Sequence, residues 1–72
     1  MDMIDVESSN LKQIGYDSEN QTLGIVFKSN MLYHYFEVPQ EVFDELQEAP
    51  SVGKFFNAEI RNQYEFENMG SV

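Results

Sequence analysis

The sequence predicts an α+β fold: a three-stranded antiparallel β-meander packed on one face by two short C-terminal helices, in the order βββαα. Two observations of patterning lead there. Before Pro39 the apolar residues alternate with period two, and after it they recur at helical spacing. A third is composition. Ten of the 72 residues are Phe or Tyr, and 42% are hydrophobic, which is enough apolar material for one compact core.

The first strand is read over Leu11 to Tyr16, where Ile14 and Tyr16 stand two apart. Asp17-Ser18-Glu19-Asn20-Gln21 is turn chemistry, with the Asp17 carboxylate placed to bond the backbone two residues on. Leu23, Ile25 and Phe27 then alternate as a half-buried strand. Lys28-Ser29-Asn30 spaces a tight hairpin in which Asn30 tolerates the positive φ such turns require. The third strand, Met31 to Phe36, is apolar on both sides. Tyr33 and Tyr35 share one face; Leu32, His34 and Phe36 share the other.

Val38-Pro39 ends this strand, and Pro suits a first helical turn because it lacks an N–H and fixes φ. Val42, Phe43, Leu46 and Ala49 form the apolar face of one helix. Pro50 stops it, and Ser51 is placed to cap a second helix whose apolar residues are Val52, Phe55, Phe56 and Ile60. Residues 1–7 read as a loose acidic arm, 8–66 as a single domain and 67–72 as a tail. Tyr64 and Phe66 alternate with acids, as a short strand or an extended segment packed on the body.

The chain has no cysteine, which excludes disulfides and thiolate metal sites and fits a reducing, cytoplasmic setting. Met1 to Val6 is acidic where a signal peptide is basic, and no stretch approaches the ~20 apolar residues of a membrane span. The net charge is −9, from 13 acids against 4 bases. Such a domain is repelled at long range by nucleic acid and by anionic lipid. The charge serves solubility, attracts a basic partner, or mimics nucleic acid.

Over residues 8–64 the sequence resembles a KTSC domain. The resemblance rests on Ser8-Ser9-Asn10-Leu11, Ile14-Gly15-Tyr16-Asp17, and Leu23 with Phe27. It continues through Tyr33-His34-Tyr35 as a central Y-x-Y, then Val38-Pro39 with Val42 and Leu46. Gly53-Lys54-Phe55-Phe56-Asn57, Ile60-Arg61 and Tyr64 complete it. Each motif is weak alone; their joint order and spacing are more specific. The resemblance implies a small module that occurs alone in bacteria and phage or appended to some lysyl-tRNA synthetases, with a suggested role in RNA binding. Two departures stand out. Asn30 occupies a hairpin position where members often carry Gly, and the acidic load opposes binding to RNA.

No catalytic or metal constellation emerges, and neither an enzyme activity nor a cofactor is expected. His34 is the only histidine and alternates with Leu32 and Phe36 rather than with acids. Gly53-Lys54 lacks the first glycine and the hydroxyl of a phosphate loop, and Gly53 more simply permits a tight helix start. Ser8 and Ser9 have no general base in a recognisable motif and are read as capping or turning the backbone. Tyr33 and Tyr35 are read as core against the helices rather than as base-stacking platforms.

Two functional readings follow. The favoured one is a non-catalytic module that binds a protein partner. Its contacts are the exposed stripe of Glu41, Asp44, Glu45 and Glu48 and the second sheet face, with Val26, Leu32 and Phe36. The other is nucleic-acid binding through Lys12, Lys28, His34, Lys54 and Arg61, too few cations for tight binding at physiological salt. A phage-borne inhibitor mimicking nucleic acid is a special case of the first. Lys54, Asn57 and Arg61 line up at i, i+3 and i+7 on the second helix and are candidate contacts in either reading.

Overall fold

The structure is a computed structural model that describes all 72 residues. It contains β2 (Leu11–Asp17), β3 (Thr22–Phe27), β4 (Met31–Tyr35), α1 (Gln40–Glu48) and α2 (Val52–Glu59), in the expected order. Two further strands flank them, β1 (Met3–Asp5) and β5 (Phe66–Ser71). The sheet therefore has five strands rather than three, all antiparallel, in the spatial order β1-β2-β3-β4-β5. No helix is long and apolar enough to cross a membrane.

Both further strands lie at edges, where exposure leaves little apolar pattern to read. A short strand near Phe66 is one of the two readings of the alternation there, and β5 begins at that residue. The arm expected to be loose pairs Met3 with Gly15 and Asp5 with Gln13. The sequence signal lay in β2 and β3 instead. Gly15 and Gly24 stand opposite each other on the outer sheet face, and the thioethers of Met3 and Met1 occupy the space where their Cβ atoms would be. Most of the tail expected over 67–72 belongs to β5, which pairs Phe66 with Tyr35 and Asn68 with Tyr33 before a bulge shifts the register to Leu32 with Gly70.

The turns form for the reasons their residues suggest. Asp17 Oδ1 accepts from the Glu19 amide at 3.1 Å, and Asn30 adopts φ 68° in the β3–β4 hairpin. Pro39 precedes α1 as its N-cap residue, with φ −64°. Ser51 caps α2 by accepting from the Lys54 amide at 3.3 Å. Ser8 turns the chain: its Oγ accepts from the Asn10 and Leu11 amides.

Gly53 has a different role from the one expected. A Cβ there would meet Ser8 Oγ and Asn10 Oδ1, so the glycine lets the loop before β2 lie directly on α2.

One core lies between the sheet and the helices. Leu11, Ile14, Leu23, Ile25 and Tyr35 meet Val38, Leu46, Phe56 and Ile60. Phe56 is its largest fully buried side chain and sets its ring edge-on to Phe27 and Tyr35, at 5.6 and 5.4 Å.

Candidate functional site

Strand alternation aims Phe27, Tyr33, Tyr35 and Phe66 at the helix side of β3, β4 and β5. The helices cover only part of this face. Beside α2 the face stays open as a cup of about 480 Å³, within the usual range for ligand pockets. Its aromatic wall is formed by Phe27, Tyr33, Tyr35, Phe56 and Phe66. Its polar rim is Asn10 from the loop before β2, Asn57 from α2, and Arg61 and Asn62 from the turn that follows.

The rings meet one another mostly at steep or tilted angles. Phe27 and Tyr33 are edge-to-face at 5.4 Å and 89°. Phe66 leans on Tyr33 and Tyr35 at 5.7 and 5.6 Å, tilted by 44° and 35°, and is itself 56% exposed. The result is a walled cup rather than a flat platform.

Tyr35 is 3% exposed. Its hydroxyl has no hydrogen-bond partner in the chain, yet no buried polar atom is left unpartnered, so that oxygen reaches solvent. Burial raises the Tyr35 pKa and the neighbouring Tyr33 adds to the rise, while the Arg61 guanidinium opposes it. Arg61 and Tyr35 line the same cup.

The charge distribution is more informative than the total. Of 13 acids in the chain, none lines the cup, and Arg61 is its only ionised group. A shallower concavity of about 440 Å³ shares Asn10, Phe27 and Tyr33 with the cup and holds Lys28, again without an acid. Two of the chain's four bases thus lie along one acid-free aromatic trough.

The candidates read from the sequence are distributed as follows. Glu41, Asp44, Glu45 and Glu48 are all exposed along α1. Asn57 and Arg61 come together in the cup, but Lys54 opens into a separate cleft with Glu45, Phe55 and Glu59. Lys54 and Asn57 open to different sides of α2, and Arg61 lies beyond its end at Glu59. The amides of Ile60 and Arg61 both donate to the Phe56 carbonyl, and this wider closing turn re-aims Arg61.

Val26 is 2% exposed and offers no contact surface of its own, while Leu32 on the same outer face is half-buried. Phe36 is half-buried beside Tyr64 and Glu65. Lys12 donates to Asn30 Oδ1 at 2.8 Å, and His34 sits on the outer face opposite Gly24 and Glu67. The five groups proposed for nucleic acid do not form one patch. Asn10, Asn62 and Phe66 are not site residues in the sequence reading: the β4–β5 pairing brings Phe66 to the cup, the packing of the loop before β2 on Gly53 brings Asn10, and the turn after α2 brings Asn62.

A small antiparallel α+β module with an aromatic, carboxamide-rimmed cup is the class that fold and site define. The KTSC domain family model matches residues 7–64, and the chain belongs to that family. It is 43% identical over 63 residues to a lysine–tRNA ligase of Nostoc punctiforme, a match covering 88% of this chain and 11% of the ligase. It is 42% identical over 64 residues to an uncharacterised protein of Stutzerimonas stutzeri, covering 89% and 90% of the two chains. The crystal structure of a KTSC domain protein from Yersinia pestis superposes with a TM-score of 0.93 at 32% identity, covering 96% and 97% of the two chains. The chain thus spans about a tenth of the ligase and nearly the whole of the small relative.

Proposed function

We propose that this domain is a non-catalytic recognition module for a protein partner, and that its contact surface is the aromatic cup rather than the outer sheet face. The observation that carries this reading is the composition of the cup: five aromatic side chains, three carboxamides and one guanidinium, with no acid among them. Aromatic anchors dominate protein interfaces when they enter a walled pocket, and carboxamides carry both a donor and an acceptor for a partner's backbone. The α1 stripe of Glu41, Asp44, Glu45 and Glu48 then steers a basic partner and changes the encounter rate more than the final affinity.

Nucleic-acid binding is the second reading. What favours it is the similarity to ligases named for lysine and tRNA, with the domain as a small part of a longer chain. Against it stand the net charge of −9 and the dispersal of Lys12, His34 and Lys54 away from the trough.

The test is capture from a native lysate with three immobilised forms: the parent chain, Phe66→Ala/Arg61→Glu, and Glu41→Lys/Glu45→Lys. We expect the cup variant to lose a protein that the stripe variant still captures, only more slowly, with nuclease treatment making no difference. Capture that vanishes with nuclease, or that survives loss of the cup, rejects the reading.

A further inference from the structure

We infer that the cup takes the C-terminal residue of a polypeptide when that residue is aromatic, ring and terminal carboxylate together. This rests on the reading of the domain as a protein-recognition module and names the ligand of that site.

The hydrophobic part follows from ring geometry. Steep and tilted contacts, at 89° for Phe27–Tyr33 and 44° for Tyr33–Phe66, leave edges and faces exposed in different directions. A Phe, Tyr or Trp side chain packs into such a space edge-to-face at several walls. A nucleobase held by stacking needs a parallel face open to it. The one near-parallel pair on this wall, Tyr33 and Tyr35 at 26°, is already overlaid by Phe66.

The polar part follows from the rim. Asn57, Asn62 and Arg61 are exposed, and their side chains enter none of the chain's own hydrogen bonds. Their donors and acceptors are therefore free for a ligand. A guanidinium presents paired donors that match one carboxylate. With Arg61 the only ionised group lining the cup, one such anion is the complement, whereas a strand with a phosphate per nucleotide exceeds it. The two carboxamides line the same cup and offer donors and acceptors to the N–H and C=O of the ligand's backbone.

Three peptides test the idea with the full chain, followed by NMR shift perturbation: acetyl-Gly-Ser-Gly-Ser-Phe with a free carboxyl, the same peptide amidated, and an amidated peptide carrying Phe-Glu internally. Uridine and adenosine monophosphates are the contrasting probes. The expected result is saturable shifts at Asn57, Arg61, Asn62 and Phe66 with the free acid and weaker binding of both amidated peptides; tighter binding of the internal Phe-Glu peptide overturns the chain-end assignment. Loss of the carboxylate weakens binding about tenfold or more, as does Arg61→Gln, and the two losses do not add.

Asn57→Ala, on an exposed site, provides a second variant whose fold is not in question. It should weaken the free-acid and amidated peptides alike. Equal binding of all three peptides removes the carboxylate from the proposal. A nucleotide that shifts the cup while the peptides do not overturns it, as does binding by none of the probes. If the peptides fail while lysate capture still depends on the cup, the recognition reading stands and this assignment of its ligand falls.

Discussion

The two ends of the helix-covered sheet face are built from the same kind of side chain and finish differently. At the β2 end, Tyr16 stacks on Phe43 of α1 at 5.1 Å and 13°, and its hydroxyl donates to the Val38 carbonyl. Ring and polar tip are both occupied by the chain itself. At the β4–β5 end, Tyr33, Tyr35 and Phe66 form a second cluster that α2 covers only in part: Phe56 seals Tyr35, while Phe66 stays 56% exposed and the Tyr35 hydroxyl has no partner. An aromatic cluster becomes a site when the backbone stops short of covering it. Composition alone does not separate the two.

Phe56 belongs to both ends, because it stands under α2 between the closed core and the cup. It is 1% exposed and touches the rings of Phe27 and Tyr35. Phe56→Ala should cost about 3–5 kcal/mol. Domains of this size hold roughly that much in total, so the variant should be largely unfolded by circular dichroism. Phe43→Ala should cost less, because Phe43 is only half-buried. Equal melting temperatures for Phe56→Ala and the parent chain would remove the core assignment.

The closed end was the more legible from sequence. Helical spacing places Leu46 and Phe56, and alternation places Leu23 and Ile25, because buried faces impose a period on the chain. The Ser51 cap and the Asp17 turn were also readable, since each is a local bond. The open end was not. Phe66 alternates with acids in an edge strand, and Asn10 and Asn62 lie 52 positions apart. Arg61 was seen, but with Lys54 on one helical face, because nothing in the sequence marks the wider turn after Glu59.

Tyr16 tests how tightly the closed end is sealed. Tyr16→Phe keeps the stacked ring and removes only the donor to Val38, whose residue is fully buried. Leaving that carbonyl without its donor should cost about 1–3 kcal/mol. The Tyr16 hydroxyl also gives a pH signature, set by its surroundings rather than by that bond. Burial, then the carboxylates of Asp17 and Asp44, raise the Tyr16 pKa above its ordinary value. A raised folded-state pKa means the stabilisation is complete below the unfolded value of about 10 and is lost as pH rises through the folded value. Thermal melts from neutral to strongly alkaline pH should therefore fall above about pH 10. The fall should be shallower in Tyr16→Phe, with the remainder carried by Tyr35, whose pKa burial also raises. An alkaline slope identical in the two chains would show that the Tyr16 hydroxyl is not held in the fold.

The smallest stability effect should come from the open end, and there the comparison is sharpest. Phe66 contacts Tyr33 and Tyr35 but is 56% exposed and sits in an edge strand. Fully burying a Phe contributes about 1.5–3 kcal/mol, so less than half of that burial, on a strand free to adjust, is worth about 1 kcal/mol. Phe66→Ala should accordingly melt within a few degrees of the parent chain and keep its β4–β5 amide protection. The same substitution removes one wall of the cup, so binding at that site should fall much further than stability does. If Phe66→Ala unfolds the domain as Phe56→Ala should, the open end is core after all, and the cup is a gap in packing. If it changes neither melting nor partner capture, the rings at this end are surface without a role in recognition.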